Sequence, residues 1–373
     1  MLIRHAAAFL PEGFRTGLSV RLENGRVAEM SSAIVPQADE EILDAEGAFL
    51  LPGFVDVHIH AFKGHDTMSG EEAVRSMSRD LAAQGVAAFL PTTMSASEED
   101  TRQAIAGIRA VMDRPEAGGA RVLGAHMEAP FLQPGKCGAQ VSSWFQLPDM
   151  AALERLTGGD LAAVKLITMA PELPGGLAFI ENATAAGLVV SIGHTGASGE
   201  VVHEAAGCGA AHVTHTFNAQ TPLHHREPGV PGAALTDDRL YCEIICDGIH
   251  LHPDILSLVW RAKGAKKALA VTDAMEAAGM PDGQYSLGGQ PVYVERGQAR
   301  LEDGTLAGSV LTMPQALMNL IRLAKIPPAD AVRMCTLTPA ESIGCPDAGR
   351  LQAGAAGPLT LWSDGWTRWQ VLR

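Results

Sequence analysis

Eight short apolar runs in this chain end at, or just before, residues able to bind a metal ion or move a proton. FVDVHIH, from Phe54, carries His58 and His60. VLGAHME, from Val122, closes on Glu128. LVVSIGHT, from Leu188, holds His194, and AAHVTHT, from Ala210, holds His215. YCEIICD, from Tyr241, ends at Asp247, and KALAVTD, from Lys267, ends at Asp273. On a strand, residues i and i+2 face the same way, so His58 and His60 can reach one ion together. A lone HxH pair also arises by coincidence in a chain with 13 histidines, so its weight depends on the other ends. Histidines with one or two carboxylates form an N/O donor set suited to Zn2+ or Fe2+. An aspartate beside such an ion can take a proton from water and return it to a departing amine, although the same residue can equally cap a strand or only ligate. His212 lies three residues before His215 and reads as structural, facing the other way. His126, two residues before Glu128, shares its face and stays open.

Elements that gather these ends on one side are the strands of a (β/α)8 barrel, whose chemistry sits at the C-terminal ends of its strands. Two further runs, AAFLPTT from Ala87 and LAAVKLIT from Leu161, complete a set of eight. Helical segments alternate with them, beginning at Glu71, Ser97, Ser198, Pro253 and Met313. Ser97 with Asp100 resembles a capping box. Residues 52–346 are therefore expected to form the barrel, interrupted by a β-hairpin insertion between Gly279 and Asp303. The two ends read differently. Residues 1–51 hold short strands and an Asn24-Gly25 hairpin signal, and residues 347–373 hold two strand-like runs around Asp364-Gly365. Together they suggest a small β-sandwich built from both termini.

Composition narrows the partners. A formal net charge of -14 disfavours a nucleic-acid partner, which would select a basic face. No apolar run is long enough to predict a membrane span. Six cysteines without a CxxC pair favour free thiols and a reducing, cytoplasmic compartment. Within HTFNAQTPLHHREPG, from His215, the donors Asn218, His225 and Arg226 could clamp an anion such as a phosphate, or simply form a solvated polar loop. His250 and His252, in CDGIHLHP, follow the seventh run, where they could also just open the next helix.

Taken together, LPGFVDVHIH, GAHMEAPFL, SIGHT, HVTHTFNA with PLHHREPG, CDGIH, AVTDAM and GTLAGSVLTM resemble the amidohydrolase superfamily, and within it the N-acetylglucosamine-6-phosphate deacetylase family. That resemblance implies a (β/α)8 TIM-like barrel carrying a metal-dependent hydrolase of an N-acetyl group on a phosphorylated amino sugar. It implies Glu128, His194 and His215 as principal metal ligands, His58 and His60 as a second metal position, and Asp273 as catalytic acid/base. Asn218, Ala219, Arg226, His250 and Leu306 match the substrate pocket. The ion is expected to be Zn2+, with Fe2+ or another divalent ion as alternatives, one or two per subunit. A homodimer is implied, with Arg226 reaching across its interface. Two departures stand out: Ala129 follows Glu128 where the family usually has glycine, and Gln140 stands where it often has a histidine. N-acetylgalactosamine 6-phosphate or another N-acyl amine remains an alternative substrate, and a catalytically inactive, amidohydrolase-like binding protein is the remote alternative.

Overall fold

The computed structural model describes residues 1–363 and 365–373. Eight parallel barrel strands run Phe54–Ile59, Val86–Thr93, Ala125–Met127, Val164–Met169, Val189–Ile192, His212–Val213, Tyr241–Ile245 and Ala268–Val271. Each pairs in parallel with the next. Closure falls to a short bridge between Ile59 and Ala274, reinforced by side chains. The buried Asp56 carboxylate accepts from Thr272 Oγ1 at 2.6 Å and from the Thr272 amide at 3.2 Å. These strands are nearly continuous apolar runs because a parallel barrel strand is covered on one face by helices and on the other by the barrel core.

Two of the expected strands begin or end elsewhere. LAAVKLIT starts with a turn at Leu161–Ala163, where the Ala163 amide still bonds back to Asp160, and extends only from Val164. YCEIICD pairs only as far as Ile245, leaving Asp247 in the loop that follows. Helix Glu71–Ala83 presents Val74, Met77 and Leu81 to the barrel, the spacing of one helical face. Helix Glu98–Asp113 opens at Ser97, whose Oγ accepts from the Asp100 amide. Helices also begin at Gly199, Pro253 and Met313, one residue or none from their sequence positions.

The chain ends meet in one seven-stranded sheet. Leu2–Leu10, Gly13–Glu23, Arg26–Ser31, Ile42–Asp44 and Phe49–Pro52 join Leu359–Ser363 and Arg368–Leu372. The long first strand pairs with Ile42–Asp44 near its start and with Phe49 and Leu50 nearer its end. Asn24 and Gly25, both at positive φ (51° and 70°), make the tight turn the sequence announced. Asp364, in the second expected turn, lies outside the described residues, and the strands on either side of it pair antiparallel. The insertion is larger than a hairpin. Gly283–Leu287, Gln290–Glu295 and Gln298–Arg300 form three antiparallel strands. Its apolar side packs on Met94, Met275 and Ala307, beside the barrel mouth.

Gly53 is the single residue between the terminal sheet and the first barrel strand. A Cβ there would sit 2.5 Å from Ala87 Cβ and 2.6 Å from the Pro358 carbonyl oxygen, so the close approach needs glycine. Gly53→Ala is expected to destabilise the fold by about 1–3 kcal/mol through overpacking, read as a lowered midpoint in urea unfolding.

Candidate metal and substrate site

The strand ends converge on the floor of a cavity of about 490 Å³. Glu128 follows the third strand, His194 the fifth, His215 the sixth and Asp273 the eighth, while His58 lies within the first and His60 just beyond it. All six are buried. Their ligand atoms fall into two groups, Glu128 with His194 and His215, and His58 with His60 and Asp273, each within 4.8 Å.

Backbone conformation aims them. His194, His215 and Asp273 have φ of 46°, 27° and 49°, in the left-handed region that disfavours residues with a Cβ. Such strain costs of order 1–3 kcal/mol per residue and persists only where surrounding contacts over-determine it. Those contacts are present. The Asp273 amide donates to the His58 carbonyl at 2.8 Å and its carbonyl accepts from the Ser309 amide at 2.7 Å. The His194 carbonyl accepts from Gln133, and the His215 carbonyl from Asn218.

Glu128 is the meeting point. Its Oε1 lies 3.1 Å from His215 Nε2, 3.2 Å from His194 Nε2 and 3.3 Å from His58 Nε2. Its Oε2 lies 3.3 Å from His60 Nε2 and accepts from Gln140 Nε2 at 2.5 Å. The Ser95 amide donates to Gln140 Oε1 at 2.7 Å, which fixes the amide with its NH2 toward the carboxylate. His194 Nδ1 donates to the Lys136 carbonyl at 2.9 Å, which turns its Nε2 toward Glu128 and, 3.1 Å away, toward His215 Nε2. Buried His58 Nε2 has no hydrogen-bond partner. Buried imidazole nitrogens and carboxylate oxygens turned toward a common point make an N/O donor set that fits a divalent cation.

Electrostatics follow from this crowding. Burial opposes ionisation of Glu128, but His58 and His194 outweigh it and hold the carboxyl well below its usual range. Asp273 is likewise lowered, burial being overcome by His58 and His60. Burial alone would discharge the imidazoles. Asp273 and Glu128 instead hold His58 well above its ordinary value and push His60 up to about 9.

The cavity walls hold most of the remaining sequence candidates. Asn218, Ala219, His250, Gln140 and Leu306 all line it, as do Lys136, Cys137, Asp303 and Thr305. His250 Nδ1 is paired with Asp247 Oδ2 at 2.7 Å, so Asp247 holds the wall. Arg226 does not line this chain's cavity. It is exposed and donates to His225 Nε2 at 2.6 Å. His126 lies beneath the floor, with its Nε2 2.8 Å from Thr168 Oγ1 and its ring edge-on to His58. His212 is buried and donates through Nε2 to the Ser342 carbonyl at 3.2 Å, a structural position. Thr92 and Thr168, at strand ends with no role legible in sequence, join Ser191 and Thr214 in a polar layer under the site. Sequence reading passed over Glu243 and Asp56, although each is a carboxylate inside an apolar run and both are fully buried.

A model of the amidohydrolase family matches residues 49–369. N-acetylglucosamine-6-phosphate deacetylase of Lysinibacillus sphaericus is 36% identical over 95% of this chain and 91% of its own length. N-acetylgalactosamine-6-phosphate deacetylase of Escherichia coli O157:H7 is 32% identical over 98% and 95%. Among solved structures, a substituted N-acetyl-D-glucosamine-6-phosphate deacetylase of Mycobacterium smegmatis, in complex with N-acetyl-D-glucosamine-6-phosphate, superposes with a TM-score of 0.90. It is 30% identical and covers 100% of this chain and 96% of its own.

A cation entering the His58, His60 and Asp273 group must displace protons that the carboxylates hold there. Because these imidazoles titrate above their ordinary value, proton competition is strongest in acid and fades toward about pH 9. Calorimetric titration of ion-free protein with Zn2+ in buffers of differing ionisation enthalpy should show proton release that diminishes, and affinity that rises, from neutral pH toward that value. Affinity independent of pH would contradict this electrostatic reading.

Proposed function

This chain belongs to the amidohydrolase family, within its N-acetylglucosamine-6-phosphate deacetylase branch, and from that premise we propose that it hydrolyses N-acetylglucosamine 6-phosphate to glucosamine 6-phosphate and acetate. One observation carries the reading: Glu128, His194 and His215 converge beside Asp273 on the floor of a cavity large enough for a sugar. We take these three as ligands of the principal ion, most simply Zn2+ given their N/O donors. His58 and His60 would hold a second ion with Asp273. Bound there, a divalent cation supplies Lewis acidity toward the amide carbonyl and toward water.

The chain's own groups do the rest. Asp273, held ionised by its imidazole neighbours, accepts the proton of the attacking water as the new C–O bond forms. It then delivers that proton to the sugar nitrogen as the C–N bond breaks, leaving acetate and a free amine. Gln140, whose NH2 is fixed toward the site, can donate to the acetyl oxygen without carrying charge. Asn218, Ala219 and His250 line the wall where the sugar would be held, and Leu306 lies on the loop that would close over it. Remote contacts of this kind convert binding energy into alignment. Exposed Arg226, off its own chain's cavity, supports a homodimer in which it reaches a partner's phosphate. Six free thiols support a cytoplasmic setting. Among the described residues no helix is long and apolar enough to cross a membrane.

A second reading, the same hydrolysis on N-acetylgalactosamine 6-phosphate, is supported by the likeness to the Escherichia coli enzyme. Acetate release from both phosphorylated sugars separates the two by kcat/KM, and the glucosamine derivative is expected to lead. Asp273→Asn should lower kcat roughly 10²–10⁴-fold, the usual worth of general acid–base catalysis, with KM little changed. Undiminished turnover would remove Asp273 from the proton's path.

A further inference from the structure

One fully buried carboxylate takes no part in the reaction described above. Glu243 lies in the middle of the seventh barrel strand, within the apolar run YCEII, and has no exposed surface. Its Oε2 lies 3.1 Å from His58 Nδ1 and accepts from the His215 backbone amide at 3.3 Å. One oxygen therefore touches a residue from each of the two ligand groups. Its Oε1 lies 3.4 Å from His212 Nδ1.

Resting on the two-ion reading of the site, we propose that Glu243 is a positioning residue that sets the occupancy of the His58, His60 and Asp273 position. A carboxylate can only accept, so His58 Nδ1 must carry the hydrogen that points at Glu243. Once an ion displaces the other ring proton, Nε2 presents its lone pair to the cavity floor, 3.4 Å from Asp273 Oδ1 and 3.3 Å from Glu128 Oε1. Without this anchor the ring could adopt the other tautomer and turn a hydrogen toward the ion position. His60 has no such anchor, since its Nδ1 is buried without a partner. In this group it is thus His58 whose outer ring nitrogen, away from the ion position, is held by a carboxylate, as the outer nitrogen of His194 is held by the Lys136 carbonyl in the other. Outer partners of ligating histidines fix tautomer and ring orientation, and their loss typically costs ~10–100-fold in metal affinity.

The chemistry of Glu243 makes reach and charge separable. Glu243→Gln keeps the reach: its amide oxygen can accept from His58 Nδ1 and the His215 amide. The new NH2 can donate to His212 Nδ1, which is an acceptor when His212 Nε2 donates to the Ser342 carbonyl. Glu243→Asp keeps the charge but withdraws the carboxylate from His58 by one methylene.

The test titrates Co2+ into full-length ion-free protein, counting equivalents by elemental analysis and following each by its visible absorption, with circular dichroism reporting the fold. Wild type should bind two equivalents. Glu243→Gln should stay close to it, and Glu243→Asp should bind the second equivalent ~10–100-fold more weakly while keeping the first. Unchanged binding in Glu243→Asp would overturn the proposal. So would Glu243→Gln failing as badly as Glu243→Asp, or equal weakening of both equivalents, the behaviour of a merely structural residue. Wild type that binds one equivalent would overturn this inference and leave the principal metal position standing. Wild type that binds none would remove both.

Discussion

A single carboxylate in a buried floor is the constraint around which this molecule is arranged. Glu128 lies within 3.1–3.3 Å of four imidazole nitrogens. Taking an ionised carboxylate out of water is costly unless it is compensated, and loss of the compensating partners leaves an unpaired buried charge. Compensation here comes from five side chains, His194, His215, His58, His60 and Gln140, delivered by three strand ends and one loop. The barrel has to close in the right register for these groups to meet. That is why the site and the fold are not independent: a displaced strand would strand the charge.

Meeting at one point also asks the backbone to do what it avoids. Three of the converging residues leave their strands through left-handed conformations, and none of them is a glycine. A glycine would relieve the strain but would supply no side chain. The fold instead accepts the strain and braces it with hydrogen bonds from neighbouring loops, among them Ser309 to Asp273 and Gln133 to His194. A polar layer of Thr92, His126, Thr168, Ser191 and Thr214 lies below, so the floor rests on oriented hydrogen bonds as well as apolar packing. The insertion from Gly283 to Arg300 adds the loop that carries Asp303, Thr305 and Leu306 into the cavity wall.

Much of this was legible in the sequence because barrel strands impose a period and a polarity. Apolar runs that stop at histidine or carboxylate located His194, His215 and Asp273 at their strand ends. The HxH spacing placed His58 and His60 together, since alternate strand residues share a face. Glu243 and Asp56 were missed for a physical reason: each sits mid-strand, where a carboxylate reads as an interruption, and the side chains that pair with them, His58 and Thr272, are 185 and 216 residues away in sequence. Nothing local signals such pairing. His126 was ambiguous for a related reason, because a shared strand face does not separate a residue lining the cavity from one under its floor. The third strand of the insertion and the left-handed strand ends likewise depend on tertiary contacts. Arg226 is the opposite case: its sequence motif was plain, the resemblance implied that it reaches across an interface, and it lies off this chain's own cavity.

The central claim is that the point where Glu128, His194 and His215 converge is a cation site, and that the protein's buried charges are organised for it. The most direct measurement is an anomalous difference map at the zinc edge from crystals of protein supplied with Zn2+. The account predicts its strongest peak among Glu128, His194 Nε2 and His215 Nε2, at about 2.0–2.2 Å from each ligand atom. An intact floor with no anomalous density there, and zinc found only at the surface, would contradict it.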